Sequence, residues 1–431
     1  MLKNIGILTA ANVVINIIVS MAVGVLISRG LSVEDRGTVF LSFQVALICS
    51  VVITFGASQS IVYFQRDIKE EANKAFVLST ICLSLLTLMI FLFKNIISLA
   101  ISEIFSIVLP KDTYAIFIGS IIAMVIFAIF YAKVQIEDNG IELSLLISIF
   151  GNLLYIVIFY VAYILHLLTI KNCITIFFAS YIIRFLTTIY WARNLKWAYF
   201  KFESTFIKKF TECSALFWIN VVFFIIFSKI NLLIAGKYLD RTDLGIYSVS
   251  LTVIEIVCIL PSAIGTVLFP YMVKSGFAEN DDRLQTISRL MFEIALCGSL
   301  IVFCFGYILI VFLYGSAYSD AYWPLIIMLP GSVMLSVVFS FTNYLNSTGK
   351  TKQSNYTYLM CIFLSLLISI PLIDKYHIYG ASISYTICCF ITFISFLYLC
   401  NNGFSQSSKY LIGNGFRLEI FTQFVALLKR K

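Results

Sequence analysis

Charge is what this 431-residue chain has least of: Asp, Glu, Lys and Arg make up 12% of it, about half the share of a soluble domain. Histidine is scarcer still. His166 and His377 stand alone near expected helix ends, which leaves no histidine-centred catalysis and reads as two interfacial residues. The chain has no glycine-rich phosphate loop, no Ser-His-Asp grouping within reach and no cluster of ligand side chains, so no enzyme, metal or cofactor is expected. Most of the 11 cysteines lie in apolar runs, Cys388-Cys389 among them. They read as buried thiols without a disulfide framework. No soluble domain interrupts the chain, and the first apolar run lacks a small-residue cleavage site and is expected to stay as a helix.

What fills the chain is apolar, at 61%. A helix needs about 20 apolar residues to cross ~30 Å of hydrocarbon while satisfying its own backbone. Twelve such runs are expected, at 8–28, 38–64, 75–97, 115–134, 141–165, 174–192, 216–235, 246–273, 290–314, 324–345, 355–373 and 381–400. The stretch 95–110, interrupted by Glu103, is left open between a bent extension of the third and a loop. Of 30 Lys and Arg, 20 fall in the loops of one side and eight in those of the other. That bias predicts both termini in the cytoplasm and explains the net charge of +8 without a nucleic-acid partner. Arg184 and Lys229 remain, inside spans.

The runs repeat. At an offset of 208 residues, Leu8 falls on Leu216, Asn12-Val13-Val14 on Asn220-Val221-Val222, Ile17-Ile18 on Ile225-Ile226 and Ser20 on Ser228. Leu31, Asp35, Gly37 and Ser42 fall on Leu239, Asp243, Gly245 and Ser250, giving 11 identities in 35 positions, where roughly three would arise by chance. Six spans per copy start both copies on the same side. The expected fold is therefore all-α integral membrane, with 12 transmembrane helices in two parallel six-helix lobes related by a pseudo-twofold axis along the membrane normal. The lobes are residues 1–192 and 216–400. Between them, 193–215 mixes cations with aromatics like an amphipathic segment on an anionic leaflet, and the basic tail 401–431 ends similarly.

Polar side chains are costly in hydrocarbon, so their spacing marks the faces that avoid lipid. On the eighth span Ser248, Thr252, Glu255, Ser262 and Thr266 share an arc, and Pro261 predicts a hinge there. Ser180, Arg184, Thr187, Thr188 and Trp191 share one side of the sixth. Asn220, Ser228 and Asn231 share an arc of the seventh span, and the matching first span puts Asn12 and Asn16 on the same arc; Lys229 points roughly 150° away from it. The tenth adds Ser332, Ser336, Ser340 and Asn343. Helix-packing glue is the structural alternative for the hydroxyls, and an ion pair with a carboxylate is the alternative for Arg184. As a set, a duplicated bundle with polar groups at mid-depth reads as a transporter.

Several stretches carry a resemblance. Ser28-Arg29-Gly30-Leu31 with Glu34-Asp35-Arg36-Gly37, Lys229-Ile230-Asn231 with Gly245-Ile246-Tyr247, Leu313-Tyr314-Gly315 with Tyr318 and Ala321, Asn343-Tyr344-Leu345-Asn346 with Gly349-Lys350, and Tyr379-Gly380-Ala381 resemble the polysaccharide (O-antigen) flippases. These are the Wzx-type members of the multidrug/oligosaccharidyl-lipid/polysaccharide exporter superfamily. The resemblance implies movement of undecaprenyl-diphosphate-linked oligosaccharide repeat units between leaflets of the bacterial inner membrane, by alternating access around a cationic cavity. The deep cations Arg184 and Lys229 are compatible with that task and are assigned to the diphosphate, and the polar stripes assign Asn12, Asn16, Ser180, Thr187, Asn220, Asn231, Thr252, Ser336 and Asn343 to the cavity lining. Asn231 stands where the family often has an acidic residue, which passes charge balance or coupling to Glu255. Partners besides the glycan and membrane lipid, namely H+ or Na+ as coupling ion and the glycan polymerase machinery, are left open. Two other readings compete: a drug/cation antiporter of the same superfamily, which should favour buried carboxylates over buried cations, and a membrane glycan polymerase, which should carry a sizeable outer loop.

Overall fold

The computed structural model describes residues 2–64, 69–137, 139–191, 203–274, 280–347 and 350–401. In chain order its helices are α1 (Leu2–Gly30), α2 (Val33–Thr54), α3 (Ala57–Phe64), α4 (Lys69–Leu92), α5 (Lys94–Phe105), α6 (Thr113–Gln135) and α7 (Gly140–Ile164). There follow α8 (Ile170–Trp191), α9 (Ser204–Tyr238), α10 (Arg241–Lys274), α11 (Asn280–Tyr314), a short 3-10 turn (Ser316–Ala321), α12 (Tyr322–Ser347) and α13 (Thr351–Asn401). Among the described residues 11 helices are long and apolar enough to cross a membrane. The last of them runs for 50 residues, about 75 Å at 1.5 Å per residue, far more than one crossing needs. Non-helical backbone at His377 (φ 48°, ψ −126°) divides it in two, which gives the twelve crossings expected.

Three boundaries differ from the expected runs. The span expected at 38–64 is broken: Phe55 (φ 48°) and Gly56 (φ 65°) adopt left-handed backbone and separate α2 from α3. The stretch 95–110 holds a separate helix, α5, that begins after a break at Phe93. Residues 204–215 of the expected connector form the first turns of α9, where Phe210 and Ser214 are buried. Residues 192–202 and the tail from 402 lie outside the described residues.

The side chains sort as they must for a helix with lipid on one face. On α4, Leu85, Leu88, Met89 and Leu92 are exposed, while Ala72, Ala75, Phe76, Ser79 and Leu83 are buried. Both stripes follow three-and-four spacing, so one face meets α3 and α6 and the other is left for lipid. With both faces apolar, close approach and polar contacts bind the helices.

The chain divides into two compact units, Met1–Ser248 and Val249–Lys431. In the first, α1 packs on α7, α6 on α2 and α8, α7 on α8, α3 on α4 and α6, and α9 on α2 and α3. Lys133, 4% exposed, fixes one end of this unit. It donates to Asn73 Oδ1 and Glu137 Oε1, each at 2.5 Å, and lies 5.9 Å from the centre of the Phe76 ring. In the second unit α12 packs on α11 and α13. Hydroxyls join its helices: Ser288 with Ser340 at 2.7 Å, Thr342 with Tyr358 at 2.6 Å, and Thr386 Oγ1 donating to Ile327 O at 2.5 Å.

The repeat is visible at α2 and the start of α10. Ser32 Oγ accepts from Asp35 N–H at 3.1 Å and Asp240 Oδ1 accepts from Asp243 N–H at 2.7 Å. These two N-caps occupy equivalent positions of the duplication although their residue types differ, since serine and aspartate cap equally well. Gly37 and Gly245, also equivalent, face each other. A Cβ on Gly37 would lie 2.7 Å from Gly245 N and 3.0 Å from Arg241 O, and one on Gly245 would lie 2.0 Å from Val33 O. Val33 and Arg241 are again equivalent, so the contact is reciprocal, as where a twofold axis passes between two copies of one surface.

Candidate functional site

Arg184 lies in the middle of α8, in a chain of polar groups that crosses three helices. Its Nη2 donates to Asn152 Oδ1 on α7 at 2.6 Å, and Asn152 Nδ2 donates to Asn16 Oδ1 on α1 at 2.5 Å. The guanidinium sits 5.3 Å from the centre of the Tyr181 ring, a cation–π contact one turn earlier on α8. Gly151 makes room for it, because a Cβ there would lie 2.5 Å from Arg184 Cγ. The buried Arg184 Nε finds no hydrogen-bond acceptor among the described residues. Among the described residues this cation is held by one neutral amide and an aromatic face, and no carboxylate pairs with it.

The other expected residues fall as follows. Asn12, one turn from Asn16 on α1, has a buried Oδ1 that takes no hydrogen bond from the described residues. Ser180 Oγ donates to Phe177 O at 2.7 Å and Thr187 Oγ1 to Arg184 O at 2.8 Å, so both hydroxyls are spent on their own helix. Asn220 and Lys229 are half-buried on α9, and Asn231 is buried there. In the second unit Thr252 is buried on α10, Glu255 half-buried and Pro261 buried inside the same helix. On α12 Ser336 Oγ donates to Ser332 O at 2.8 Å, and Asn343 is half-buried. The structure thus joins Asn16 to Arg184 through Asn152, a residue the stripes on single helices did not single out. An amide midway along an otherwise apolar run was the available signal.

A cavity of about 560 Å³ opens in the first unit, between the C-terminal halves of α2 and α6, α3, α8 and the early turns of α9. Among the described residues no charged side chain lines it; its polar and aromatic surface includes Gln59, Gln135, Tyr131, Tyr181, Trp218 and Ser58. Trp218 is fixed in place. Its Nε1 donates to Val52 O at 2.9 Å, and its ring packs 5.1 Å from that of Phe55. Gly56 permits this packing, because a Cβ there would lie 2.4 Å from Ser214 O, and Ser214 Oγ donates to Ser60 Oγ at 2.8 Å. Sequence reasoning missed the lining because its members come from five helices, one or two polar groups from each.

Residues 1–275 match the family described as polysaccharide biosynthesis protein, and the chain belongs to that family. It is similar to the capsular polysaccharide biosynthesis protein CapF of Staphylococcus aureus, 30% identical over 168 residues, which span 38% of this chain and 41% of that protein. The chain therefore matches less than half the length of that relative. Its fold is similar to that of the lipid II flippase MurJ in an inward closed conformation, with a TM-score of 0.69 at 15% identity over 99% of this chain and 93% of the other. It is also similar to an inward-facing multidrug resistance MATE family transporter of the MOP superfamily, with a TM-score of 0.65 at 14% identity over 96% and 95%. A MOP superfamily transporter from Pyrococcus furiosus gives a TM-score of 0.64 at 15% identity over 92% and 94%. The all-α membrane fold expected from the duplicated spans is the fold these transporters share.

Proposed function

We propose that the chain is a flippase that carries undecaprenyl-diphosphate-linked oligosaccharide units from the inner to the outer leaflet of a bacterial inner membrane by alternating access. In this reading both termini are cytoplasmic, residues 1–192 and 216–400 are the two lobes, 193–215 is the connector and 401–431 the tail. The observation that carries it is the charge of Arg184. A guanidinium at mid-membrane costs about 2.5–3.5 kcal/mol or more, and among the described residues its partners are neutral. A substrate anion is the missing counter-charge, and a diphosphate fits the guanidinium's paired donors. Lys229 is the second cation assigned to the diphosphate, Glu255 balances charge or carries a coupling H+ or Na+, and Pro261 is the hinge. Asn12, Asn16, Ser180, Thr187, Asn220, Asn231, Thr252, Ser336 and Asn343 line the path. Likeness to a capsular polysaccharide biosynthesis protein and to a lipid II flippase supports a glycan-bearing lipid as cargo, and likeness to the flippase supports carriage without catalysis.

The test is made in cells lacking the chain and complemented with variants at matched protein level. Arg184→Gln and Lys229→Gln are expected to abolish surface polysaccharide and leave lipid-linked units on the inner leaflet. Unchanged display in both variants overturns the assignment. Likeness to a multidrug transporter raises the rival reading, export of an organic cation, but an uncompensated guanidinium repels such cargo. Dye export by the unaltered chain would decide for that rival.

A further inference from the structure

The uncharged cavity of the first unit and Arg184 share a residue: Tyr181 lines the cavity and also carries the guanidinium over its ring at 5.3 Å. We propose that this cavity is a separate subsite for the neutral sugar part of the cargo, which lets one molecule set its phosphates beside Arg184 and its first sugars among Gln59, Gln135, Tyr131 and Trp218. The inference rests on the reading of the chain as a carrier of lipid-linked glycan.

Three features of the lining select a sugar. With no charged side chain among the described residues of its wall, the cavity offers nothing to a phosphate and imposes no charge on the ring it receives. Sugars present hydroxyls that both donate and accept, and apolar C–H faces. Glutamine amides match the first and aromatic faces the second. Ser58 Oγ donates to Gln59 Oε1 at 2.9 Å, which leaves the donor end of that amide for a ligand. A lipid tail in the same place would cover the donor end of the Gln59 amide without satisfying it, at a cost in affinity. Finally, the platform is rigid. Trp218 is held by Val52 O at 2.9 Å and by the Phe55 ring, so little freedom is lost when a sugar stacks on it. The volume of about 560 Å³ falls inside the ~300–1,000 Å³ usual for small-ligand sites.

The experiment measures binding to the purified full chain in lipid nanodiscs with two probes, bare undecaprenyl diphosphate and its glycan-bearing form extracted from cells that assemble the polysaccharide. The unaltered chain is expected to bind the glycan-bearing form about tenfold more tightly, the worth of one or two neutral hydrogen bonds. The Gln59→Leu, Gln135→Leu double variant should remove that preference and keep its hold on bare undecaprenyl diphosphate. Arg184→Gln should weaken both probes alike. A preference that survives the double variant, or is absent from the unaltered chain while Arg184-dependent binding of the bare lipid remains, overturns the sugar subsite and leaves the flippase reading standing. Failure of the unaltered chain to bind either probe overturns both. As a check independent of the double variant's folding, a photo-reactive side chain at Val62, on the cavity wall, should crosslink the glycan of the glycan-bearing probe. Crosslinks to phospholipid alone overturn the proposal.

Discussion

Adding one methyl group at the reciprocal glycine contact should loosen the fold at the point where the two copies of the repeat meet. In Gly245→Ala the new Cβ would stand 2.0 Å from Val33 O, and in Gly37→Ala it would stand 2.7 Å from Gly245 N. Both obstacles are backbone atoms, so no rotamer change relieves them, and α2 and α10 must part by roughly 1 Å in a close-packed interior. Overpacking of that kind costs about 1–3 kcal/mol. It is opposed by the better helix propensity of alanine, up to about 1 kcal/mol. A net loss is therefore expected for both variants, larger at Gly245. Because one parting of the helices admits both methyls, the double variant should cost less than the sum of the singles. The control is Gly298→Ala: its Cβ would meet a single atom within 4 Å, Val257 Cγ1 at 3.6 Å, so alanine there should be neutral or stabilising. Thermal unfolding of the purified protein in one detergent, with the four variants side by side, reads all of this. Gly37→Ala and Gly245→Ala proteins as stable as the Gly298→Ala protein would refute the close approach, and with it the local twofold.

Asn152→Asp places a carboxylate 2.6 Å from the Arg184 guanidinium; the protein should accumulate normally but lose surface polysaccharide in complemented cells, because the cation now has a resident partner, and retained display would argue against an anionic cargo. Lys133→Met leaves Glu137 Oε1 and Asn73 Oδ1 without their shared donor, and should lower stability by about 1–3 kcal/mol in chemical unfolding. His377→Gly removes the side chain from backbone at φ 48° and ψ −126°, conformational space that favours glycine. A stabilisation of about 1 kcal/mol is expected there, with none from His377→Ala, measured as a shift in thermal midpoint.

The spans were legible because each needs about 20 apolar residues and little else, and the duplication was legible because Asn12, Gly37 and their partners survive in both copies. What single-helix periodicity could not supply was contact between helices. The break at Phe55–Gly56 lies in an apolar run with no proline to announce it, and its cause sits on α9, where the Ser214 carbonyl comes too close for any side chain at position 56. Arg184 was found as a deep cation, yet its partner Asn152 was not, since one amide on one face of α7 makes no stripe. The cap at Asp240 was hidden for another reason: its equivalent is Ser32, so identity between the copies fails where function as a cap persists. The cavity was furthest from view, its polar groups being scattered over five helices.

The indole of Trp218 also bears on how the protein is made. Among the described residues the carbonyl it satisfies, Val52 O, otherwise takes only a long 3.4 Å bond from Phe55 N–H at the broken end of α2, and the indole and that carbonyl are 166 residues apart. At ribosomal speeds of about 5–20 residues per second, the earlier helix waits on the order of ten seconds or more for the later one. During synthesis that carbonyl must be served by water, which requires the end of α2 to stay at the wet boundary of the bilayer until α9 has left the translocon.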